Sequence, residues 1–405
     1  MNENDLFGLA LGLVSPWYIE KVEFSAIDKR LDLFINFNKG SRFPCPECGE
    51  PSPVHDTTER TWRHLDFFQH SAYLTARVPR SNCTKCGVKQ VAVPWARPDS
   101  GFTLLFEAFL LQLACETPVS AAAGLASIRP NVLWRMLAHY VAKGLLQQDI
   151  SGVRAVGIDE CSKRKGQQYI TTFCDLDKSR VIYVADGRES KTVDEFADHI
   201  INKGLCPGNI KDVCADMWPA YLSGVQKNLP GATLTYDRYH VMTYVNKAVD
   251  EVRRREAKTN LVLKDTRYIW LKNPENLTTK QQAKLKNIKG QDLETVRAYH
   301  LRLAIQRLWT LDNIKDARPY LEKCLSWASH SKLEPMAELA RFIRRHEDGI
   351  LRSIKNRITN GIVEGINSKI KTAMKRAYGF KSFDYYRTII YLVAGKLKFP
   401  ELCCK

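Results

Sequence analysis

Apolar and polar positions alternate loosely between Tyr18 and Phe37, and this period of two predicts two strands near the start of the chain. The next segment, residues 43–95, is rich in Pro, Cys, His and Arg and contains a strand-like stretch at 71–78. From Thr103 to Leu146 the apolar residues recur at helical spacing, with a break at residues 116–118. The first part of the chain is therefore predicted to hold strands followed by three helices.

Short apolar runs and amphipathic stretches alternate between residues 151 and 240, which is typical of an α/β domain. Three consecutive strands are predicted first, and then helix, strand, helix and strand follow: 153–158, 169–174, 180–185, 193–201, 210–215, a helix from 219, and 232–236. From Tyr239 to about Arg352 only helical periodicity is present, with many Lys and Arg, and a further helical stretch extends to Phe399.

Length and charge narrow the class of protein. A chain of 405 residues is long enough for two or three domains. Its 44% hydrophobic and 26% charged residues are ordinary for a globular protein. Lys and Arg number 61 against 44 Asp and Glu, a formal net charge of +17 that attracts polyanions. Nucleic acid is the first partner to consider, although membrane-surface and ribosome-associated proteins carry similar charge.

The sequence predicts a cytoplasmic protein. No run approaches the roughly 18 apolar residues of a membrane span, so no membrane partner is expected. The acidic start Met1-Asn2-Glu3-Asn4-Asp5 is unlike a basic export signal. Twelve cysteines in so long a chain, four of them in CxxC pairs, favour a reducing compartment over a disulfide framework.

Two CxxC turns, each followed by glycine, predict a structural zinc site in residues 43–95. They supply Cys45 with Cys48 and Cys83 with Cys86, and four thiolates complete a closed tetrahedral site. The gap between the pairs is longer than in the usual ribbon. It contains three further candidate ligands, His55, His64 and His70. Four unrelated buried or redox thiols are the alternative.

Residues 117–137 have the spacing of a helix-turn-helix, with a first helix from Pro118 and a second from Asn131. In such a unit the start of the second helix enters the DNA major groove, which would place Asn131 and Arg135 on DNA. An ordinary three-helix spacer gives the same pattern. The neighbouring cysteine pairs and the basic charge favour DNA binding.

Two strands end in aspartate. The run 153–158 is followed by Asp159, and the run 210–215 is followed by Asp216. In a largely parallel α/β sheet the carboxyl ends of strands meet at one crevice, so these side chains are expected to lie together. A lone strand-end aspartate is more often a turn or capping residue.

A third carboxylate, Glu364, lies in a late helical segment. Glu364, Asn367, Lys371 and Lys375 form one polar stripe at helical spacing. A solvated Glu paired with Lys371 is the plainer interpretation. Three carboxylates without an obligatory nucleophile suit phosphoryl transfer with two Mg²⁺ or Mn²⁺ ions. Together with the order of strands and helices, they predict an RNase H-like core.

Four further residues are candidate DNA contacts beside the carboxylates. Arg238 and His240 follow the strand that ends at Tyr236 and are placed to contact phosphate, or else to cap and pack the next helix. Trp218 is placed to stack on an unpaired base, although a buried aromatic contact is more common. Lys371 completes the set as a partner for the DNA backbone.

In its motifs the chain resembles the ISL3 family of insertion-sequence transposases. These motifs occur in order along nearly the whole chain: Cys45-Pro46-Glu47-Cys48-Gly49, Cys83 to Gly87, Gly157-Ile158-Asp159-Glu160, Ala215-Asp216-Met217-Trp218-Pro219-Ala220-Tyr221, Tyr236-Asp237-Arg238-Tyr239-His240, and Val363-Glu364-Gly365-Ile366-Asn367-Ser368-Lys369-Ile370-Lys371. The resemblance implies that Asp159, Asp216 and Glu364 are the DDE catalytic acids. It also implies that the helical segment is an insertion that splits the catalytic fold.

The predicted fold is therefore multidomain α+β, with a zinc ribbon, a helix-turn-helix and an RNase H-like core split by an all-α insertion. The predicted parts are a lead-in at 1–42, the ribbon at 43–95, the helix-turn-helix at 96–150, the catalytic domain at 151–240 and 355–400, and the insertion at 241–354.

The expected function is that of a DNA transposase. It binds the terminal inverted repeats of its element and catalyses metal-dependent strand cleavage and strand transfer. Its expected partners are double-stranded DNA and a second copy of the chain, and its expected place is the bacterial nucleoid. An inactive zinc-containing DNA-binding regulator and a DDE nuclease without strand transfer are the alternatives.

Overall fold

The computed structural model describes residues 2–164, 168–355 and 357–402. These residues form two compact units. One unit runs from the N-terminus to Gln147 and includes the segment from Leu397 onward, and the other spans Gln148–Lys396. None of the described helices is long and apolar enough to cross a membrane.

The N-terminal unit begins with a helix and a six-stranded sheet. Its elements are α1 (Glu3–Ala10), β1 (Trp17–Ser25), β2 (Arg30–Phe37), β3 (Arg42–Pro44), β4 (Pro51–Arg63), β5 (Ser71–Cys83) and β6 (Gly87–Gln90). The sheet order is β1-β2-β5-β4-β3, and β6 pairs with β5. The two predicted N-terminal strands are confirmed. Since β2 pairs in parallel with β5, the lead-in and the cysteine-rich segment share one sheet across the expected boundary at residue 42.

Alternating residues of these strands build one apolar core. Trp62 and Leu74 are almost fully buried, and the ring of Trp17 packs edge-on against Trp95 with centroids 5.0 Å apart. Burial of large aromatic side chains is the main stabilising contribution in so small a sheet. The strands that carry the cysteine pairs are therefore held by this core as well as by any metal.

Three helices complete the N-terminal unit: α2 (Leu104–Glu116), α3 (Val119–Leu125) and α4 (Pro130–Gln147). The three helices predicted from the spacing of apolar residues are confirmed. Glu107 on α2 is fully buried, and it accepts hydrogen bonds from Arg97 and from the Tyr140 hydroxyl on α4. A buried carboxylate needs such partners, so this network holds α2 and α4 together.

The C-terminal segment returns to helix α4. Gly144 leaves room for it, because a Cβ there would lie 3.0 Å from Leu397 Cβ and 3.1 Å from Phe399 Cε1. The Phe399 ring packs edge-on against Tyr140 with centroids 5.9 Å apart. A short 3₁₀ helix follows at Pro400–Leu402. Leu397 and Phe399 therefore pack against the helix-turn-helix bundle as partly buried side chains.

The second unit opens with the predicted series of strands and helices. It comprises β7 (Ala155–Arg164), β8 (Gln168–Asp175), β9 (Arg180–Asp186), α5 (Ser190–Asn202), β10 (Asp212–Ala215), α6 (Pro219–Asn228) and β11 (Thr233–Tyr236). The five strands form one sheet in the order β11-β10-β7-β8-β9. The sheet is mixed rather than largely parallel, because β7, β8 and β9 are antiparallel while β10 and β11 run parallel to β7.

Alternate residues of β7 face opposite sides of this sheet. Val156 and Ile158 pack in one apolar cluster with Phe196 of α5 and Tyr221 of α6. Gly157, on the other face, allows a later helix to approach closely, since a Cβ there would lie 2.7 Å from Val363 Cγ2. Asp159 has the same parity as Gly157 and therefore points toward that later helix.

Helices make up the remainder of this unit. They are α7 (Arg238–Glu256), α8 (Arg267–Leu271), α9 (Thr279–Lys289), α10 (Glu294–Arg307), α11 (Ile314–Ser329), α12 (Glu334–Arg345), α13 (Glu347–Lys355), α14 (Arg357–Arg376) and α15 (Phe383–Ala394). Helices α7 to α13 share an apolar core in which Trp270 and Tyr299 are buried. Helix α14 packs instead on the sheet, where Val363 contacts Leu176 and Cys214.

Candidate active site and zinc centre

Three aspartates lie at matching positions on or directly after three neighbouring parallel strands, β7, β10 and β11. The register pairs Cys214 with Gly157 and Ala215 with Tyr236. If the pairing of β10 with β7 is extended by two residues, Asp216 lies opposite Asp159. If the pairing of β10 with β11 is extended by one residue, Asp237 lies opposite Asp216. Neighbouring strands lie about 4.7–4.9 Å apart, so the sheet itself aligns these carboxylates in one row.

The position of Asp159 differs from the sequence prediction. Strand β7 does not end before Asp159 but continues to Arg164, and Asp159 pairs with Thr172 of β8. The strand is longer because β8 returns beside it as an antiparallel partner, which supplies the backbone hydrogen bonds of residues beyond the apolar run. Asp216, in contrast, directly follows the last residue of β10, as predicted.

Helix α14 closes the other side of this crevice. Its predicted polar stripe faces the aspartates, and a cavity of about 410 Å³ is lined by Asp159, Asp237, His240, Glu364, Asn367, Lys371 and others. Asn367 is 5% exposed and donates a hydrogen bond to Asp159 Oδ2. Glu364 itself is exposed at the rim. The structure therefore brings Asp159 and Glu364 to one cavity.

His240 lies between two of the aspartates. Its Nε2 is 3.8 Å from Asp159 Oδ1, and its Nδ1 is 3.5 Å from Asp216 Oδ2. Helix α7 holds the imidazole in this position, because Asp237 caps the helix by accepting from the Tyr239 backbone N–H at 2.8 Å. His240 therefore lies at the carboxylates, and its predicted contact with DNA phosphate stays a prediction.

Burial raises the pKa of Asp159, Glu160 and Asp237 above their ordinary values. At Asp159 the nearby His240 and Lys371 oppose this effect, whereas the negative charge of Asp216 adds to it. Closely spaced carboxylates raise one another's pKa because like charges resist joint ionisation. Such a site gains from a cation that neutralises it.

The oxygen atoms of the three predicted acids do not form a compact ligand set. In the part of the chain that the structure describes, only one group of three or more metal-binding side chains has its ligand atoms all within 4.8 Å of one another. That group is Cys45, Cys48, Cys83 and Cys86, so Asp159, Asp216 and Glu364 are more widely spread. Their donors are nevertheless the hard oxygens that Mg²⁺ and Mn²⁺ prefer.

The four cysteines fit a structural zinc ion. Cys48 Sγ lies 3.6 Å from Cys83 Sγ, and Cys45 and Cys83 are buried. The backbone N–H groups of Cys86 and Lys85 lower the pKa of Cys83 to about 6, which favours the thiolate that binds metal. Both following glycines have left-handed backbone, Gly49 at φ 76° and Gly87 at φ 75°.

The histidines in the gap take no part in this cluster. His64 Nδ1 lies 2.8 Å from Thr103 Oγ1, and burial lowers the pKa of His64 to about 4. The ring of His70 packs against Phe24 with centroids 4.7 Å apart, and His55 is exposed. The four-cysteine ligand set is therefore the one that the fold assembles.

Helices α3 and α4 occupy the predicted positions of the helix-turn-helix. The first turns of α4 present Asn131 and Arg135 to solvent, while Leu133 and Leu137 are buried against the bundle. A helix with its apolar face packed and its start exposed can enter a groove of DNA. The DNA contacts of Asn131 and Arg135 remain predictions.

The other predicted DNA contacts surround the crevice. Trp218 is 36% exposed and donates to the Arg188 carbonyl at 3.2 Å, and the Arg188 guanidinium stacks on its ring at 4.6 Å. Arg238 is exposed and lies over the Trp309 ring at 5.6 Å. Lys371 is exposed at the cavity. The ring of Trp218 is thus partly covered by an arginine of the same chain.

Two residues of the site, Asp237 and Asn367, were not predicted from the sequence to lie beside Asp159. Asp237 follows β11 in the same way that Asp216 follows β10, and that shared pattern was the available signal. Asn367 was part of the polar stripe, but its hydrogen bond to Asp159 joins residues more than two hundred positions apart. A local sequence pattern cannot predict a hydrogen bond between residues so far apart in the chain.

Comparison with known proteins matches three segments of the chain to family models. Residues 41–86 match the zinc finger of the IS204/IS1001/IS1096/IS1165 transposases, and residues 91–141 match the helix-turn-helix domain of transposase family ISL3. Residues 156–390, more than half of the chain, match the transposase model of the same family.

Two named relatives align over most of the chain. The transposase for insertion sequence element IS1557 from Mycobacterium tuberculosis is 28% identical over 416 residues, covering 93% of this chain and 92% of that protein. The transposase for insertion sequence element IS1001 from Bordetella parapertussis is 26% identical over 355 residues, covering 84% and 86%.

Proposed function

Because the chain belongs to the ISL3 family of transposases, we propose that it moves its own insertion sequence by cutting and joining DNA at Asp159, Asp216 and Glu364. The observation that carries this proposal is the row of aspartates on neighbouring parallel strands. Asp159 lines one cavity with Glu364 and His240, and Asp216 lies 3.5 Å from the His240 ring. The matched relatives are named as transposases, which supports an enzyme acting on DNA.

An RNase H-like core is part of the proposal. The series strand, strand, strand, helix, strand, helix, strand, followed by a late helix with Glu364, supports this fold. Helices α7 to α13 lie between β11 and α14 in the sequence and share an apolar core that Tyr236 of β11 joins, which supports an insertion packed against the strands.

The carboxylates would hold two Mg²⁺ or Mn²⁺ ions. When bound, such ions activate the attacking oxygen and stabilise the leaving one in an in-line displacement. The chain's own residues orient the groups around this chemistry. Asn367 fixes the Asp159 carboxylate by its hydrogen bond, and Lys371 adds positive charge on the side where DNA phosphate would lie.

Separate parts of the chain would recognise the DNA. The helix-turn-helix and the zinc ribbon bind the terminal inverted repeats, and the net charge of +17 supports contact with the DNA backbone. Two ends of an element must be held together for transfer, so two copies of the chain are expected in the complex.

A cleavage and joining assay tests the proposal. Purified protein is incubated with Mg²⁺ and labelled DNA carrying one element end, and the products are resolved on denaturing gels. We expect cuts at one discrete position and, with a second duplex present, joined products. Specific binding without any cut in Mg²⁺ or Mn²⁺ would contradict catalysis and favour a DNA-binding regulator. Cuts without joined products would favour a nuclease.

Replacing Arg135 by Ala is expected to weaken binding to the element end by roughly tenfold, because a bidentate base contact contributes about 1–3 kcal/mol. Binding to unrelated DNA should change far less. The measurement is a mobility-shift titration of both duplexes at one salt concentration.

Lys143→Ala provides the matched control, since it removes the same charge about 12 Å further along helix α4 at 1.5 Å per residue. This control should lower binding to both duplexes by similar, small factors. An equal loss for both duplexes with Arg135→Ala would contradict base recognition by this residue.

A further inference from the structure

A second, larger cavity adjoins the catalytic crevice. Its volume is about 930 Å³, within the range of roughly 300–1,000 Å³ for small-molecule sites. Asp237, Tyr239 and Glu364 line both cavities, so the two spaces share a wall. The far side of the larger cavity comes from helices α7 and α10 and from residues 271–276. It therefore begins beside the proposed reaction centre and extends among the helices.

Amide and guanidinium groups line this cavity. Arg302 is 2% exposed, and its described hydrogen bonds go to the neutral acceptors Asn246 Oδ1, Leu271 O and Asn273 Oδ1 at 2.8–2.9 Å. Gln306 donates to the same Asn273 oxygen at 2.9 Å. These side chains form one continuous polar wall.

Two polar atoms of this wall lack a hydrogen-bond partner. Arg302 Nη1 and Gln306 Oε1 are both buried and have no hydrogen-bond partner among the residues that the structure describes. A buried unpaired donor or acceptor is destabilising, so such groups in a cavity wall point to a ligand. One is a donor and the other an acceptor, and a ligand that satisfies both must offer both kinds of group.

Aromatic surfaces complete the lining. Trp309 is held by a hydrogen bond from its Nε1 to Ser353 Oγ at 3.0 Å, and the guanidinium of Arg238 lies over its ring. Tyr239, on the wall shared with the catalytic crevice, is 70% exposed. Since Trp309 is only 9% exposed, the Tyr239 ring is the face on which a flat ligand would stack, beside the hydrogen-bonding groups of the wall.

We propose that this cavity receives a nucleobase of the DNA substrate, turned out of the duplex beside the phosphate that is cut. A base has a planar face for the Tyr239 ring and adjacent donors and acceptors for Arg302 and Gln306. The positive charges of Arg302 and Arg238 suit the phosphates on either side. The inference rests on the proposed function, since it assigns a base to the DNA cut at the neighbouring carboxylates.

The first test locates the base without cleavage. Duplexes carrying one 2-aminopurine at successive positions around the cut site are bound in Ca²⁺, which replaces Mg²⁺. We expect the fluorescence to change severalfold at one position only, because one base leaves the stack. Gln306→Met, which keeps the volume of the side chain but not its polar atoms, should reduce that change.

The second test measures cleavage with and without the base. On the intact duplex Gln306→Met should cut about tenfold more slowly than the unaltered protein, as expected for the loss of contacts to a single base. On a duplex with an abasic residue at the identified position, the two proteins should cut at the same rate. Gln291→Met, a change at an exposed residue of the same helical region, should match the unaltered protein on both duplexes.

Two outcomes overturn the base pocket. One is unchanged fluorescence at every position, and the other is an equal loss by Gln306→Met on intact and abasic DNA, which indicates a merely structural role. Failure of the proposed function looks different. In that case neither the unaltered protein nor the control cuts DNA, although a single position still changes its fluorescence.

Discussion

Replacing Asp216 by Asn is expected to reduce the rate of DNA cleavage at least about a thousandfold while leaving DNA binding nearly unchanged. The side chain is 19% exposed at the end of β10, level with Asp159, so the change removes a charge at the crevice without disturbing the apolar core. Stabilisation of charge by bound metal contributes several kcal/mol to such reactions, and about 1.4 kcal/mol corresponds to tenfold in rate. Single-turnover cleavage in Mg²⁺ measures the effect.

Asp212→Asn is the matched control, because Asp212 begins the same strand and lies at its other end. This variant should cleave at the rate of the unaltered protein. Both variants should bind the element end with the same affinity in Ca²⁺. Full cleavage by Asp216→Asn would refute the assignment of this aspartate to catalysis.

Loss of the zinc ion is expected to unfold the cysteine end of the N-terminal sheet and to abolish specific DNA binding. Replacing Cys83 by Ser removes a buried ligand where β5 ends. Structural zinc contributes about 10–16 kcal/mol of apparent binding free energy in small zinc domains. Since the remainder of this sheet has its own tryptophan-rich core, we expect a lowered unfolding temperature rather than complete unfolding of the chain.

Elemental analysis and thermal unfolding measure this effect. The purified protein should hold one zinc per chain, and Cys83→Ser should hold far less. Cys206→Ser is the control, because Cys206 is an exposed thiol of the other unit and should change neither property. Purified protein without tightly held zinc would contradict the zinc assignment.

Local patterns predicted most elements but not the non-local pairing of strands. The alternation at 18–37 and the helical spacing at 103–146 were sufficient for β1, β2 and helices α2 to α4. Strands β2 and β5 pair in parallel, with Arg30 opposite Ser71, although β3 and β4 lie between them in the sequence. This pairing places the lead-in and the zinc-binding strands in one sheet. Periodicity reports which face of a strand is buried and not which strand lies beside it.

The part of the site that could be predicted is the set of aspartates that directly follow an apolar strand. The pattern of an apolar strand followed by aspartate pointed to Asp216, and Asp237 carries the same pattern but was not predicted as a site residue. It does cap helix α7, so its two roles overlap. The polar stripe of α14 was predicted from helical spacing, whereas the burial of Asn367 against Asp159 depends on Gly157, whose missing side chain admits the helix.

The packing of Leu397 and Phe399 on helix α4 affects when the N-terminal bundle can complete its folding during synthesis. Phe399 and Leu397 lie beside Gly144, so the helix-turn-helix bundle receives these apolar contacts only after the ribosome has made the whole of the second unit. Domains generally fold as they are synthesised, with the N-terminal part first. A nascent or prematurely terminated chain would therefore carry an incompletely packed DNA-reading bundle, and stable engagement of an element end would be reserved for full-length molecules.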